Sequence, residues 1–212
     1  MTIKKGDFVE IEYTGTLKDG NIVFDTTDEK IAKDNGIYNA SMTYGPTIVC
    51  IGEKQLIPGL DDSIDGKDMG NKFTIELKPE QAFGKKSAKL LRMIPSTIFR
   101  KQNIMPQPGL QINIDGIMGT VINVTSGRVI VDFNHPLAGR DLIYEIKLNK
   151  LITDKKDQVT SILNNKYGIK DAEIKIDNDE LKITFKKDLK KEVKDKIKED
   201  LTRLVPFKKI DL

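Results

Sequence analysis

The sequence predicts an α+β protein in which short antiparallel strands outnumber helices. Residues 8–13 and 72–77 alternate between apolar and polar side chains, as strands with one buried face do. Helical spacing is clearest in a stripe of apolar residues near the carboxyl end: Leu189, Val193, Ile197, Leu201 and Leu204. We therefore expect an antiparallel sheet with one short helix packed on it, followed by smaller mixed elements.

The first part of the chain begins with a predicted hairpin. The strand over residues 8–13 leads to the turn signal Lys18-Asp19-Gly20-Asn21, and residues 22–26 form the returning strand. Residues 28–44 are polar and have no clear period, so we expect a long surface loop there, with at most a helical turn at Ile31-Ala32.

The rest of the predicted sheet surrounds a short helix. Residues 47–51 form a strand, and Pro58 suits the first turn of a helix. Leu60 and Ile64 lie four residues apart on one face of that helix. The strand over residues 72–77 then completes the sheet of the first 84 residues.

Residues 85–136 are predicted to form a unit of their own. Residues 95–99 favour a helical turn, and residues 110–115, 120–124 and 129–133 favour short strands. An irregular connection of 52 residues inside a compact domain would be unusual, which argues against an elaborate loop.

Residues 154–212 show the order α-β-β-α. Apolar residues recur at helical spacing over residues 159–167, and Gly168 suits the end of that helix. Two alternating segments flank Asn178-Asp179, which predicts a hairpin, and the apolar stripe described above forms the second helix. Two strands and two helices give a thin core, so self-association through this segment is one expectation.

Composition limits the functional classes. The net charge is +3, hydrophobic residues make up 38% and charged residues 32% of the chain. No stretch is apolar enough to span a bilayer, the amino terminus lacks the apolar region of a secretory signal, and Cys50 is the single cysteine. We therefore expect a cytoplasmic protein.

His135 is the one histidine, and no phosphate-binding or dinucleotide fingerprint follows a strand, so we expect no metal and no cofactor.

Charge changes sharply along the chain. Residues 1–84 carry a net charge of −6, whereas residues 85–136 carry +5. This shift supports a domain boundary after Gly84. A basic segment could bind RNA, but a solvated basic face is the simpler interpretation, and we expect no nucleic-acid partner.

Five separated motifs occur in a fixed order: Tyr13-Thr14-Gly15, Phe24-Asp25, Leu56-Ile57-Pro58-Gly59-Leu60, Ala82-Phe83-Gly84 and Leu142-Ile143-Tyr144-Glu145-Ile146. This series resembles the FKBP family of peptidyl-prolyl cis/trans isomerases over residues 3–84 and 137–151. The interruption after Gly84 resembles the subset with a domain inserted in the flap, namely the SlyD-like and long archaeal members.

The resemblance implies three domains and a function. Residues 1–84 with 137–153 would form a discontinuous isomerase domain, in which an antiparallel sheet wraps a short helix. Residues 85–136 would form an insert-in-flap chaperone domain, and residues 154–212 a C-terminal α+β domain. The implied activity is isomerisation of X–Pro bonds in unfolded or nascent polypeptides, without a cofactor.

The resemblance also implies the site. Its catalytic pocket would be lined by Tyr13, Phe24, Asp25, Leu56, Ile57, Leu60, Phe83, Leu137, Ala138 and Tyr144. From composition alone, most of these residues would simply be core. The Ile57 backbone N–H would hold a substrate carbonyl. Leu60 stands where many members have Trp, which implies reduced affinity for a macrolide ligand, and Phe83 stands where a Tyr hydroxyl is common.

The inserted segment predicts a surface for unfolded chains. Its candidate substrate-binding residues are Met93, Ile94, Ile98, Phe99, Ile104, Met105 and Met118. Methionine adapts to many apolar partners, although each of these residues could instead fill a small core. Two alternatives stay open: a non-catalytic holdase that binds peptides, and a ribosome- or RNA-associated factor.

Overall fold

The computed structural model describes residues 2–212. Its strands are β1 (Phe8–Leu17), β2 (Ile22–Thr26), β3 (Thr47–Cys50), β4 (Lys72–Leu77), β5 (Leu91–Pro95), β6 (Gln111–Ile114), β7 (Ile117–Thr125), β8 (Arg128–Asp132), β9 (Leu142–Leu151), β10 (Glu173–Asp177), β11 (Glu180–Thr184) and β12 (Lys209–Asp211). Its helices are α1 (Glu29–Asp34), α2 (Pro58–Ile64), α3 (Ser96–Lys101), α4 (Lys155–Tyr167) and α5 (Lys191–Leu204). The predicted α+β class, with mostly antiparallel sheets, is confirmed.

Contacts divide the chain into two compact units. One unit takes in the chain up to Leu77 and again Asp141–Leu212, and the other is Lys78–Arg140. The division into three domains with boundaries at residues 84 and 153 stays a prediction. Within residues 2–212, no helix has both the length and the apolar character that a membrane span requires.

A five-stranded antiparallel sheet forms the centre of the first unit. Its order is β2-β1-β9-β4, and β3 pairs with the first half of β1. The register places Tyr144 of β9 between Gly15 of β1 and Ile75 of β4. A bulge lies between Gly15 and Thr16, where β1 pairs with β2. The helix α2 buries Leu60 and Ile64 fully and contacts β4, so the predicted sheet with one short helix is present.

The expected loop over residues 28–44 contains a helix. Asp28 caps α1, because its carboxylate accepts the backbone N–H groups of Lys30 at 2.7 Å and Ile31 at 3.1 Å. Ala32, within this helix, is completely buried. A single buried residue gives no periodic pattern, which is why the sequence predicted no more than a turn.

Residues 154–212 pack on the first sheet. The helix α4 ends at Gly168 in the left-handed conformation, and Asn178-Asp179 turns the hairpin, so both predictions are confirmed. The strand β12 was not predicted and pairs parallel with β11. The core of this segment continues into the sheet, since Phe8 and Cys50 belong to the same cluster of buried side chains.

The second unit is a four-stranded antiparallel sheet with one helix. Its order is β5-β8-β7-β6. The three predicted strands and the predicted helical turn are present, while β5 was missed. Its core consists of Phe99, Ile112, Val121, Val129 and Val131, with further apolar residues packed around them.

Candidate active site

Three aromatic side chains from three strands meet on the first sheet. The ring centroids of Tyr13 and Tyr144 lie 5.9 Å apart with planes tilted by 54°. The centroids of Phe24 and Tyr144 lie 5.8 Å apart at 86°, which is an edge-to-face contact. Edge-to-face pairs are favourable because the positive edge of one ring meets the negative face of the other. Tyr144 is 3% exposed, so the cluster presents mainly Tyr13 and Phe24 to solvent.

Gly15 makes this cluster possible. A β-carbon at this position would lie 2.9 Å from Cζ of Phe24 and 2.9 Å from Cε1 of Tyr144. Both distances are well below ordinary carbon contacts. The position therefore requires glycine because two rings close over it, a role that the sequence analysis did not assign. The pairing of Gly15 with Asp25 and Tyr144 explains the close approach.

Asp25 lies beside the aromatic cluster and is hydrogen-bonded to Tyr13 within it. The Tyr13 hydroxyl and the Thr26 backbone N–H donate hydrogen bonds to its carboxylate. Burial raises the pKa of Asp25, although these two hydrogen bonds act in the opposite direction. Burial, together with the charge of Asp25, also raises the pKa of both Tyr13 and Tyr144. The site therefore holds a partly desolvated carboxylate beside neutral phenols.

The predicted wall residues lie at the start of α2. Ile57 is the capping residue, its extended backbone leads into Pro58, and its carbonyl accepts the N–H of Leu60 at 3.0 Å. Within residues 2–212, the Ile57 N–H donates no hydrogen bond. Leu56 and Ile57 are half-buried, and Leu60 is 2% exposed. The wall therefore offers an unused donor next to apolar side chains.

Asp61 fixes the loop before α2. This aspartate is 6% exposed, and its carboxylate accepts the backbone N–H groups of Gly52 at 2.8 Å and Lys54 at 3.2 Å. No local sequence pattern indicates these hydrogen bonds across the loop.

Phe83, Leu137 and Ala138 belong to the second unit. The Phe83 ring stacks on His135 with 4.3 Å between centroids and 1° between planes. His135 also accepts the Leu137 N–H at Nδ1, at 3.1 Å, and its carbonyl accepts the Ala138 N–H at 2.9 Å. The histidine therefore organises three residues that the resemblance places in the pocket.

The insert presents part of the predicted apolar set to solvent. Met105 is 90% exposed, and the other exposed members are Met93, Ile98 and Met118. Phe99 is 4% exposed and lies in the core, with Ile94 and Ile104 packed against it. A unit of this size has a small core, and these three side chains help to fill it. Exposed neighbours that the sequence analysis did not name are Leu90, Leu91, Ile117 and Ile122.

Cys50 is not poised as a nucleophile. Burial, and to a lesser extent the charge of Glu53, raises the pKa of its thiol to about 12. The thiol donates to the Gly6 carbonyl with 3.6 Å between sulfur and oxygen. A buried thiol of high pKa is chemically inert. Among the described residues, no group of three His, Cys, Asp or Glu side chains could hold a metal ion.

The antiparallel sheet, the short helix and the aromatic cluster define an α+β protein with an aromatic surface beside one carboxylate. Comparison with known proteins identifies its family. The chain is 36% identical over 146 residues to the "Short-type peptidyl-prolyl cis-trans isomerase" of Methanocaldococcus jannaschii, covering 69% of this chain and 92% of that protein. The chain belongs to the FKBP-type peptidyl-prolyl cis-trans isomerase family, which confirms the resemblance.

Bacterial relatives agree with this assignment. The chain is 26% identical over 163 residues to the "FKBP-type peptidyl-prolyl cis-trans isomerase SlyD" of Vibrio cholerae, covering 75% of this chain and 73% of the relative. It is 28% identical over 152 residues to the "FKBP-type 16 kDa peptidyl-prolyl cis-trans isomerase" of Escherichia coli K12, covering 69% and 92%. The family model "FKBP26, IF domain" matches residues 92–137, within the second unit.

Proposed function

We propose that this protein accelerates cis/trans isomerisation of X–Pro bonds in folding polypeptides. The observation that carries the proposal is the aromatic cluster of Tyr13, Phe24 and Tyr144 closed over Gly15, in a chain whose relatives are named peptidyl-prolyl isomerases. The cluster is apolar and has no nucleophile within it, which suits a reaction that breaks no covalent bond.

The chemistry needs only a change of environment around the amide. Rotation about an X–Pro bond is slow because the planar amide must lose its partial double bond, with a barrier of about 20 kcal/mol. The twisted amide has less charge separation than the planar one. A dry, apolar site therefore stabilises the twisted form relative to the planar form, which lowers the barrier.

The residues have distinct roles in this proposal. Phe24 and Tyr13 contact the prolyl ring, and the unused Ile57 N–H binds the carbonyl of the substrate. Asp25 holds the Tyr13 hydroxyl and acts through its field and its hydrogen bonds, with no proton transfer. Leu60 forms the floor, and because it is smaller than Trp we propose weaker binding of large macrolides.

Two substitutions test the pocket. Phe24→Ala and Asp25→Leu should each lower kcat/KM for a short prolyl peptide by about tenfold or more, equivalent to roughly 1.4 kcal/mol of transition-state stabilisation. Phe185→Ala, the same truncation in the C-terminal segment, serves as the matched control and should leave kcat/KM unchanged. Unchanged rates in folded Phe24→Ala and Asp25→Leu would remove both residues from the site.

We further propose that residues 85–136 hold unfolded chains for the isomerase. The exposed side chains of Met93, Ile98, Met105 and Met118 support this role, because flexible apolar groups adapt to many sequences. A chain held on the same molecule stays at high effective concentration for the pocket. A non-catalytic holdase would use the same surface, and peptide turnover separates the two functions.

Removal of the insert tests this second role. The Ser87 N–H donates to the Asn134 side-chain oxygen at 2.7 Å and the Asn134 amide donates to the Ser87 carbonyl at 3.1 Å, so residues 88–133 can be replaced by a short turn that keeps His135 beside Phe83. The shortened protein should isomerise short peptides normally and lose activity on an unfolded protein. Equal retention of both activities would contradict a chaperone role for the insert.

Self-association through residues 154–212 is a separate proposal. This segment fills its core partly with Phe8 and Cys50 of the first sheet, so truncating it would expose that core. Sedimentation of the full chain over a range of concentrations is therefore the suitable test. A monomer at all concentrations would rule out a dimer.

A further inference from the structure

The loop between β3 and α2 carries the proposed wall of the pocket and is itself strained. It ends at Leu56 and Ile57, directly before Pro58. Within it, Gly52 has φ of 86° and Lys54 has φ of 56°. A lysine in the left-handed region is conformationally unfavourable and persists only where surrounding contacts hold it. The position of the wall therefore depends on what holds this loop.

One set of contacts comes from α2. As described above, the Asp61 carboxylate accepts N–H groups from Gly52 and Lys54. These hydrogen bonds tie the backbone of the loop to α2. The side chain of Glu53, which lies between the two residues, is held by a different part of the chain.

The second set of contacts comes from the C-terminal helices. Both terminal nitrogens of the Arg203 guanidinium on α5, Nη1 and Nη2, donate to the Glu53 carboxylate, and the Nη2–Oε2 distance is 2.7 Å. Lys166 on α4 lies 3.4 Å from the same carboxylate. Asp200 completes the cluster, with 2.9 Å to Arg203 and 2.7 Å to Lys166. The cluster therefore joins two carboxylates and two cations from three elements.

The geometry makes this cluster more than a surface ion pair. The side chains of Glu53 and Asp200 are 12% and 14% exposed, whereas that of Arg203 is 52% exposed, so solvent screens the cluster in part. The guanidinium makes a bidentate contact with the Glu53 carboxylate, which fixes the orientation of the two groups as well as the distance between them. The Arg203 hydrogen bonds lower the pKa of Glu53, so its carboxylate stays ionised through the neutral range.

A further hydrogen bond supports the same contact. The Asn165 side chain on α4 donates to the Ile48 carbonyl on β3 at 2.6 Å. The two C-terminal helices therefore make contacts both with β3, which leads into the loop, and with the loop itself. Residues 166 and 203 lie far from residue 53 in sequence, and nothing in their local pattern predicts the pairing.

We propose that Arg203 is a positioning residue for the isomerase pocket, acting through Glu53 to place the Leu56-Ile57 wall and its N–H donor. The proposal rests on the isomerase function given above, and it assigns residues 154–212 a role in that function. Arg203 does not touch the substrate. Its loss lets the strained loop relax, which moves the Ile57 N–H away from the substrate carbonyl.

The test compares Arg203→Met with Lys198→Met in the full chain. Lys198 is exposed on the same helix, so the control removes a positive charge from α5 without touching the loop. We expect Arg203→Met to shift the NMR amide resonance of Ile57 and to lower kcat/KM for a short prolyl peptide by about tenfold, because small misplacements near the reacting group are costly. Lys198→Met should change neither.

A double-mutant cycle identifies the route. If Arg203 acts through Glu53, adding Glu53→Gln to Arg203→Met should cost little beyond the single substitution. Arg203→Lys keeps the positive charge but cannot make the two parallel hydrogen bonds to Glu53. Its kcat/KM should fall between those of wild type and Arg203→Met. This variant keeps the test available if Arg203→Met does not fold. Fully additive effects of the two single changes would overturn the proposed route.

The two proposals fail in different ways. A wild-type protein without isomerase activity would overturn the proposed function, while the Ile57 resonance would still report on positioning. An Ile57 resonance and a kcat/KM that both remain at wild-type values in folded Arg203→Met would overturn the positioning role and leave the isomerase proposal standing.

Discussion

Gly15→Ala is the most specific perturbation of the aromatic cluster. The new methyl group would lie 2.9 Å from Phe24 and 2.9 Å from Tyr144, and neither neighbour is a flexible chain end. Ordinary carbon contacts begin near 3.5 Å, so each ring must move by about 0.6 Å or more. The Gly15 backbone has no left-handed φ, so the effect comes from the rings alone.

The expected magnitude follows from overpacking. Forcing an extra methyl group into a packed site costs about 1–3 kcal/mol of folding free energy, measurable by urea unfolding. Displacing Phe24 and Tyr144 should also lower kcat/KM for a short prolyl peptide by about tenfold or more.

Gly119→Ala is the matched control for this change. Its methyl group would lie 2.7 Å from both Phe133 and Val131, within the core of the second unit. We expect a comparable loss of stability in that unit, normal turnover of short peptides and weaker activity on unfolded proteins. The reasoning would be refuted if Gly15→Ala kept wild-type kcat/KM, or if Gly119→Ala lost short-peptide turnover equally.

Three further predictions concern single hydrogen-bonding groups. Because burial raises the pKa of Asp25, folding favours its protonated form, so wild type loses stability as pH rises from about 4 through the raised pKa. Asp25→Asn should therefore have the same urea midpoint as wild type in acid and a higher urea midpoint than wild type at pH 7. Equal midpoints for the two proteins at both pH values would contradict this. Asp61→Asn should destabilise the protein by about 1–3 kcal/mol, since the amide can accept only one of the two loop N–H groups. An unchanged urea midpoint would argue against that account. His135→Ala should speed hydrogen exchange of the Leu137 amide by removing its acceptor, and His135→Phe, which keeps a ring against Phe83, should speed it as well. Exchange as slow as in wild type would show that this hydrogen bond does not protect the amide.

Elements with a strong local pattern were predictable from the sequence. The alternation in β1 and β4, the Asn178-Asp179 turn and the apolar stripe of α5 each reflect local preferences that the fold obeys. The strand β12 could not be predicted, because three residues carry no period and its pairing with β11 depends on contacts made across the fold.

For the candidate site, the motifs were visible in the sequence, but the contacts that arrange their side chains were not. The motif containing Gly15 was visible, whereas the two rings that close over it become evident only from the register of three strands. The contact between Glu53 and Arg203 joins residues 150 positions apart, and surface charges in a chain with many lysines give no local signal of it. Both contacts depend on residues that are distant in sequence, and residue type alone does not reveal them.

The central claim is tested most directly by the rate at which the wild-type protein interconverts the cis and trans forms of a short prolyl peptide, measured by NMR exchange. We predict acceleration in proportion to protein concentration, and its loss in Phe24→Ala under conditions where Phe185→Ala remains active. A wild-type protein that is folded and leaves the uncatalysed rate unchanged would contradict the account.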